Sequence, residues 1–314
     1  MRRRNVRDGL LRRASPLLKP RAALAPAGVS IAAFSRVLPL MPHWLARLAA
    51  RLCRLGQPAP IPDDLWRATL LGHRFLARLL PHEQARLRLL AAHFLAQKEF
   101  TGAHGLQVTD GMAVAVAAQA CLPLLHLGGA RRPEQALALY DDFVGIVLQP
   151  GPAIAPRQRQ DEAGVVHRYA ETLLGEAMPG GPVMLSWPDV AAADAQALRG
   201  SNVVIHEFAH KIDMHAGPAD GCPPLPAGFM GARSAREGRL RWHAVWQSAY
   251  ERFCERLALA ERFGAPAPWL DAYAAHSPPE FFAVACEAHF TAPERFALEH
   301  PDLAAALKAA FRQP

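Results

Sequence analysis

Two histidines four residues apart, with a glutamate directly after the first, occur once in the chain, in "NVVIHEFAHKIDMH", Asn202 to His215. On an α-helix, residues four apart lie one above the other, so His206 and His210 can turn an imidazole nitrogen each to a single metal ion. Glu207 is rotated by about 100° from His206 and is poorly placed to ligate the same ion, but it can reach a water bound there. Zinc suits this arrangement because it lowers the pKa of its water and polarises a scissile carbonyl, while the carboxylate moves the proton. The chemistry implied is hydrolysis of a peptide bond. The pattern is short and recurs by chance, so two histidines held by hydrogen bonds in a core are the competing reading. "NVVI" argues against it, because His, Glu and His are awkward on an apolar helix unless they bind something.

A catalytic zinc needs a third protein ligand and an open position. In an HExxHxxGxxH arrangement the glycine position would be Asp213 and the last histidine position Ala216, with His215 one residue too early; that class is disfavoured. The other source is a glutamate on a later helix. "DAYAAHSPPEFFAVACEAHF", Asp271 to Phe290, offers Glu280 and Glu287. Ser277-Pro278-Pro279-Glu280 also fits a capping box, in which Glu280 would only satisfy its own helix terminus. Glu287 lies two turns on and could be a solvated charge or a partner that orients a ligand. Spacing alone leaves the two glutamates nearly level. Asp213, three residues after His210, is a candidate acceptor for the N–H of a ligand histidine.

Several elements must position these groups. Leu65 to Phe100 reads as two amphipathic helices divided near Pro81, the second being "HEQARLRLLAAHFLAQKEF". "VTDGMAVAVAAQACLPLLHLG", Val108 to Gly128, opens with a Thr/Asp start signal and continues as an apolar core helix. "DFVGIVLQP", "VVHRYAETLL" and "PVMLSW" predict three strands of one sheet. Ala216 to Gly228 must be a loop, because its glycines and prolines forbid a continuous helix. Helices are predicted over about Arg239 to Arg262, Pro278 to Phe290 and "PDLAAALKAAFRQ".

Charge separates the start of the chain from the rest. The net charge of +7 over 314 residues suggests nucleic acid until it is located. The first 60 residues hold 12 cations against the single anion Asp8, leaving 23 cations and 27 anions for the remainder. The globular part is therefore mildly acidic, and no nucleic-acid surface is expected on it. The Pro-rich break "GQPAPIPDD" marks a boundary between a basic, poorly ordered extension, residues 1–60, and a domain over 61–314. Within the extension, "HWLARLAARLCRLG" has helical amphipathic spacing, and "AALAPAGVSIAAFS" follows an Arg-rich start like a broken leader. That apolar run is too short to span a bilayer, so no transmembrane segment is expected. Five scattered cysteines without a CxxC pair argue against a disulfide framework and point to a reducing cytoplasm.

At "NVVIHEFAHKID" and "DAYAAHSPPEFFAV" the chain resembles the Mlc titration factor A family, zinc peptidases with HExxH and a downstream glutamate ligand. "FLAQKEF", "VAAQACLPLL", "DEAGVVH", "GPVMLSWPDV" and "ADGCPPLP" follow the same order, so the likeness covers about residues 62 to 314. The resemblance implies one α+β, zincin-like domain with a small mixed sheet beside the HExxH helix. It implies one Zn2+ on His206, His210 and Glu280, with Glu207 as general base. It further implies aminopeptidase-like activity on short peptides and binding to a Mlc-like repressor of the phosphotransferase sugar-uptake system. A likeness in arrangement to the catalytic domain of anthrax lethal factor places an assisting tyrosine seven residues before the glutamate ligand, at Tyr273.

Overall fold

The structure, a computed structural model, describes residues 58–130, 132–151, 153–160, 166–173, 175–177 and 180–314. The basic extension up to residue 57, the amphipathic run His43 to Gly56 within it, and most of "DEAGVVH" lie outside the described residues. The described chain is a mixed α+β fold, rich in helix around a small sheet.

The first helical stretch is broken at His73 into α1, Asp63–Gly72, and α2, Arg74–Ala77. Helix α3, Pro81–Gln97, starts on a proline, whose missing N–H is no loss in a first turn, and the Glu83 carboxylate accepts from the Leu80 N–H at 2.9 Å. The sequence places this helix through Phe100, but it stops three residues earlier. Lys98 is extended (φ −108°, ψ 149°), its ammonium donates to the Tyr140 and Phe143 carbonyls at 2.5 and 2.6 Å, and Glu99–Gly102 becomes strand β1. A buried lysine that must reach two carbonyls on another segment overrides the helical pattern.

Helix α4, Asp110–Cys121, starts as expected, with Thr109 Oγ1 accepting from the Met112 N–H at 3.3 Å, and all its residues except Gly111 are buried. The sheet has the order β1-β2-β6-β5, from β2 (Gly145–Gln149), β5 (Gly175–Ala177) and β6 (Val183–Ser186). β1, β2 and β6 are parallel and β5 is antiparallel to β6. Of the three predicted strands, the first and third are thus neighbours, but the second is not in the sheet. It is β4, Val166–Leu173, which pairs antiparallel with β3, Ala153–Gln160, in a separate ribbon. A buried parallel strand is a nearly continuous apolar run, and a segment carrying His167, Arg168 and Glu171 cannot supply one.

Short helices α5, Trp187–Ala191, and α6, Ala193–Ala197, lead into α7, Val203–Asp213, whose N-cap is Asn202. Its Oδ1 accepts from the Ile205 N–H at 2.9 Å. Helix α8, Ala235–Phe263, begins earlier than its apolar spacing suggests because Ser234 caps it. α9, Pro278–Thr291, is followed by α10, Pro293–Glu299, which the sequence reading omits, and by α11, Pro301–Ala310. The apolar face of α7 is pinned by Phe208, which meets Phe94, Tyr140 and Phe143 with ring centroids 4.9–5.9 Å apart. Burying one such ring is worth roughly 2–3 kcal/mol. On the far side, Trp242 and Trp246 of α8 stack on each other at 4.4 Å and meet Phe281 and Phe282 of α9 edge-on at 5.5–6.0 Å. The first cluster fixes α7 against α3 and the Tyr140–Phe143 segment, and the second fixes α9 against α8. Among the described residues no helix is long and apolar enough to cross a membrane.

Candidate metal centre

The partly buried polar edge of α7 faces the first turns of α9. There His206 Nε2 and His210 Nε2 lie 3.2 Å apart, and Glu280 Oε2 lies 3.0 Å from the first and 3.2 Å from the second. Among the described residues this is the one group of three or more His, Cys, Asp or Glu side chains arranged to hold a metal ion. Two imidazole nitrogens and a carboxylate oxygen in mutual contact cannot all be satisfied by shared hydrogens, whereas a cation satisfies them together. Zinc bonds of 2.0–2.1 Å give a tetrahedral ligand-to-ligand edge of about 3.3–3.4 Å, close to the spacing observed. The donor set, two histidines and a glutamate, is one that catalytic zinc uses. The residues present therefore fit the ion.

The two glutamates, level on spacing, are told apart by where their carboxylates go. Ser277 Oγ caps α9 by accepting from the Glu280 N–H at 3.4 Å, but the Glu280 carboxylate turns to the histidines instead of back to its own terminus. Burial alone would raise its pKa, yet hydrogen bonds from His206 and His210 hold it well below the usual carboxylate range. Glu287 reaches the opposite edge of His206, whose Nδ1 donates to Oε1 at 2.7 Å. Its Oε2 accepts from the Asn202 N–H at 2.5 Å and from Ser201 Oγ at 3.1 Å. A carboxylate on Nδ1 leaves Nε2 turned to the ligand cluster and makes the ring a better donor. In the metal-free protein burial lowers the His206 pKa, but Glu287 and Glu280 outweigh it and hold the ring well above its ordinary value.

Glu207 is 5% exposed, and burial, opposed by His206 and His210 and assisted by Glu280 and Glu287, pushes its pKa up to about 7. A carboxyl poised there exchanges protons readily near neutrality. Tyr273 sits on the turn Ala272–Ala275, its N–H donating to Asp271 Oδ1 at 2.9 Å. Its ring, 41% exposed, stacks on His276 and lies 6.1 Å from the His206 ring.

Asp213 departs from the expectation. It accepts from the main-chain N–H groups of Asp220, Gly221 and Cys222 at 3.4, 2.8 and 3.1 Å, and forms a strap with the loop beyond α7 in place of a bond to a ligand histidine. Burial raises its pKa and the N–H groups of Gly221 and Asp220 oppose the rise. The strap also receives Trp242 Nε1, which donates to the Gly221 carbonyl at 2.9 Å. At Gly221 (φ +77°) a Cβ would fall 2.8 Å from the Pro278 carbonyl, so only glycine lets the loop lie on the start of α9. His215, on the turn after α7, is not among the clustered residues. Sequence reasoning missed Asn202 and Ser201; a helix-start asparagine was the available signal for the first.

Compared with known proteins, residues 47–312 match the family described as glucose-regulated metallo-peptidase M90. Mlc titration factor A of Pectobacterium atrosepticum is 34% identical over 263 residues, covering 82% of this chain and 89% of the relative. The protein of the same name from Serratia proteamaculans is 36% identical over 228 residues, 72% of this chain and 78% of that one. That from Escherichia fergusonii is 33% identical over 253 residues, 79% and 86% of the two chains.

Proposed function

The chain belongs to the glucose-regulated metallo-peptidase M90 family, and from that membership we propose that it is a zinc-dependent peptidase of zincin-like fold. The observation that carries the reading is the convergence of His206 Nε2, His210 Nε2 and Glu280 Oε2 beside the buried Glu207. These three side chains would hold the ion, which supplies a Lewis acid for the scissile carbonyl and acidifies a water. Glu207 takes the proton of the attacking water and delivers it to the leaving amine, a role that its buried place beside the two histidines supports. Glu287 keeps the His206 ring aligned through Nδ1. The Tyr273 hydroxyl donates to the developing oxyanion of the substrate. The substrates are short or unstructured peptides cut in aminopeptidase-like fashion, and the setting is cytoplasmic, in keeping with the free thiols of Cys121, Cys222, Cys254 and Cys286.

Metal analysis of the wild type, His210→Ala and Glu280→Ala, with a peptide-library cleavage assay that includes Glu207→Gln, tests the proposal. Stoichiometric zinc and cleavage are expected for the wild type, zinc without cleavage for Glu207→Gln, and loss of zinc for the other two. A metal-replete wild type that cleaves no peptide, indistinguishable from Glu207→Gln, overturns it. A second reading rests on the name Mlc titration factor A carried by the relatives: sequestration of a Mlc-like repressor, with the metal in a structural role. Repressor capture unaffected by Glu207→Gln would show this activity to be separable from hydrolysis.

A further inference from the structure

Behind His206 a line of buried polar groups runs from Glu287 to His73, and beyond Glu287 the proposed reaction does not use them. His73 at the α1–α2 break is 6% exposed, Gln119 on α4 and Asn202 at the head of α7 are both 0% exposed, and Glu287 is 5% exposed. Polar groups this deep are costly unless partnered, and here each is bonded to the next. The directions follow from which atoms can donate. Gln119 Nε2 donates to the Ala115 carbonyl at 3.1 Å and to His73 Nε2 at 3.1 Å. His73 therefore carries its hydrogen on Nδ1, which donates to the Thr69 carbonyl at 2.8 Å. Gln119 Oε1 then accepts from Asn202 Nδ2 at 2.7 Å, which leaves Asn202 Oδ1 to cap α7. Neither amide can be turned over: Gln119 would set oxygen against the Ala115 carbonyl, and Asn202 would lose the Ile205 N–H. With Asn202 fixed, its main-chain N–H holds Glu287 Oε2, and Glu287 Oε1 holds His206 Nδ1.

We propose that Gln119 is a positioning residue for the metal centre: by holding Asn202 it keeps Glu287 on His206 Nδ1 and so keeps His206 Nε2 aimed at His210 and Glu280. The inference rests on the metal-holding reading of those three residues, but part of its test does not. Gln119→Met removes donor and acceptor together. Gln119→Glu, buried and protonated, keeps the acceptor for Asn202 and puts an O–H in place of the NH2, so that His73 Nε2 keeps a donor and no bare oxygen faces the Ala115 carbonyl.

The experiment uses the full chain, zinc-free and zinc-loaded, with near-ultraviolet circular dichroism to establish that each variant is folded. In zinc-free wild type the His206 Nδ1–H proton should give a downfield NMR signal protected from exchange; Gln119→Met should lose that protection and Gln119→Glu should keep it. Zinc affinity, measured against a chromophoric chelator, should fall about tenfold in Gln119→Met, the lower end of what outer partners of a ligand cost, and stay within about threefold in Gln119→Glu. A purely structural role would lower unfolding stability and leave both readouts of the folded protein unmoved, so folded Gln119→Met with a wild-type His206 signal and zinc affinity within about twofold overturns the proposal. If Gln119→Met does not fold, Asn202→Asp, which keeps the cap oxygen but sets a carboxylate oxygen against Gln119 Oε1, must show the same losses; wild-type readouts there overturn it equally. A wild type that binds no zinc refutes the metal reading, while the His206 proton still decides the role of Gln119.

Discussion

Glu287→Gln is nearly isosteric, so its effect can be worked out from hydrogen bonds alone. The carboxylate accepts from His206 Nδ1 through one oxygen, and from the Asn202 N–H and Ser201 Oγ through the other. Glutamine has one oxygen and one NH2. Placed with its oxygen on Asn202 and Ser201, it sets NH2 against the His206 Nδ1–H; turned over, it sets NH2 against the Asn202 N–H at the head of α7. Either way one charge-assisted bond is lost, worth about 1.5–3 kcal/mol. With a factor of ten for each 1.4 kcal/mol, zinc affinity should fall by about 10–100-fold if the loss is taken at His206. Competition of the zinc-free protein with a chromophoric chelator reads this directly. Zinc held within about twofold of wild type by folded Glu287→Gln would refute the orienting role of this carboxylate.

Other perturbations test separate parts of the molecule. Asp213→Ala leaves the Asp220 and Gly221 N–H groups without their acceptor and the Cys222 N–H with Asp220 Oδ1 alone, so urea unfolding should show a loss of about 2–3 kcal/mol; less than about 1 kcal/mol would mean that the strap carries no load. Tyr273→Phe should lower kcat by roughly 10²-fold with KM little changed, and equal turnover would remove the phenol from the reaction. His289 is held down to about 4 from its ordinary 6.5, chiefly by burial, with Gln313 opposing and Lys308 assisting. Because the unfolded chain takes up a proton that the folded chain refuses, stability should fall as pH drops from 6.5 towards 4, by roughly 3 kcal/mol for this group. Unfolding of zinc-free wild type and His289→Phe across that range should differ in slope accordingly, and parallel slopes would count against the burial argument.

What could be read from the sequence was mostly local. The Asn202 to His215 helix, the Thr109 start of α4 and the loop after Ala216 all depend on neighbours within a turn or two, and the spacing of His206 and His210 is a property of one helix. Glu280 was different. Spacing favoured it over Glu287 only slightly and the resemblance favoured it further, because the choice depends on how α9 crosses α7, some 70 residues away. The bonds of Asp213 were out of reach for a related reason: its partners lie seven to nine residues on, in a loop whose path is set by Trp242 and Pro278. Strand membership failed at β4 and β1 because pairing is decided by distant partners, in the case of β1 by a lysine that must reach Tyr140 and Phe143.

The strap of Asp213, Gly221 and Trp242 also settles how the cleft can move. Three N–H groups end on one carboxylate, a carbonyl is taken by an indole, and glycine lies flush on Pro278, so this stretch behaves as a sill and not as a flap. The stacked and exposed Tyr273 and His276 rings stand on a different segment, with the Tyr273 ring 6.1 Å from that of His206. On the proposed peptidase reading, substitutions in the turn Ala272–Ala275 should change which peptides are cut more than substitutions in the loop that Asp213 anchors.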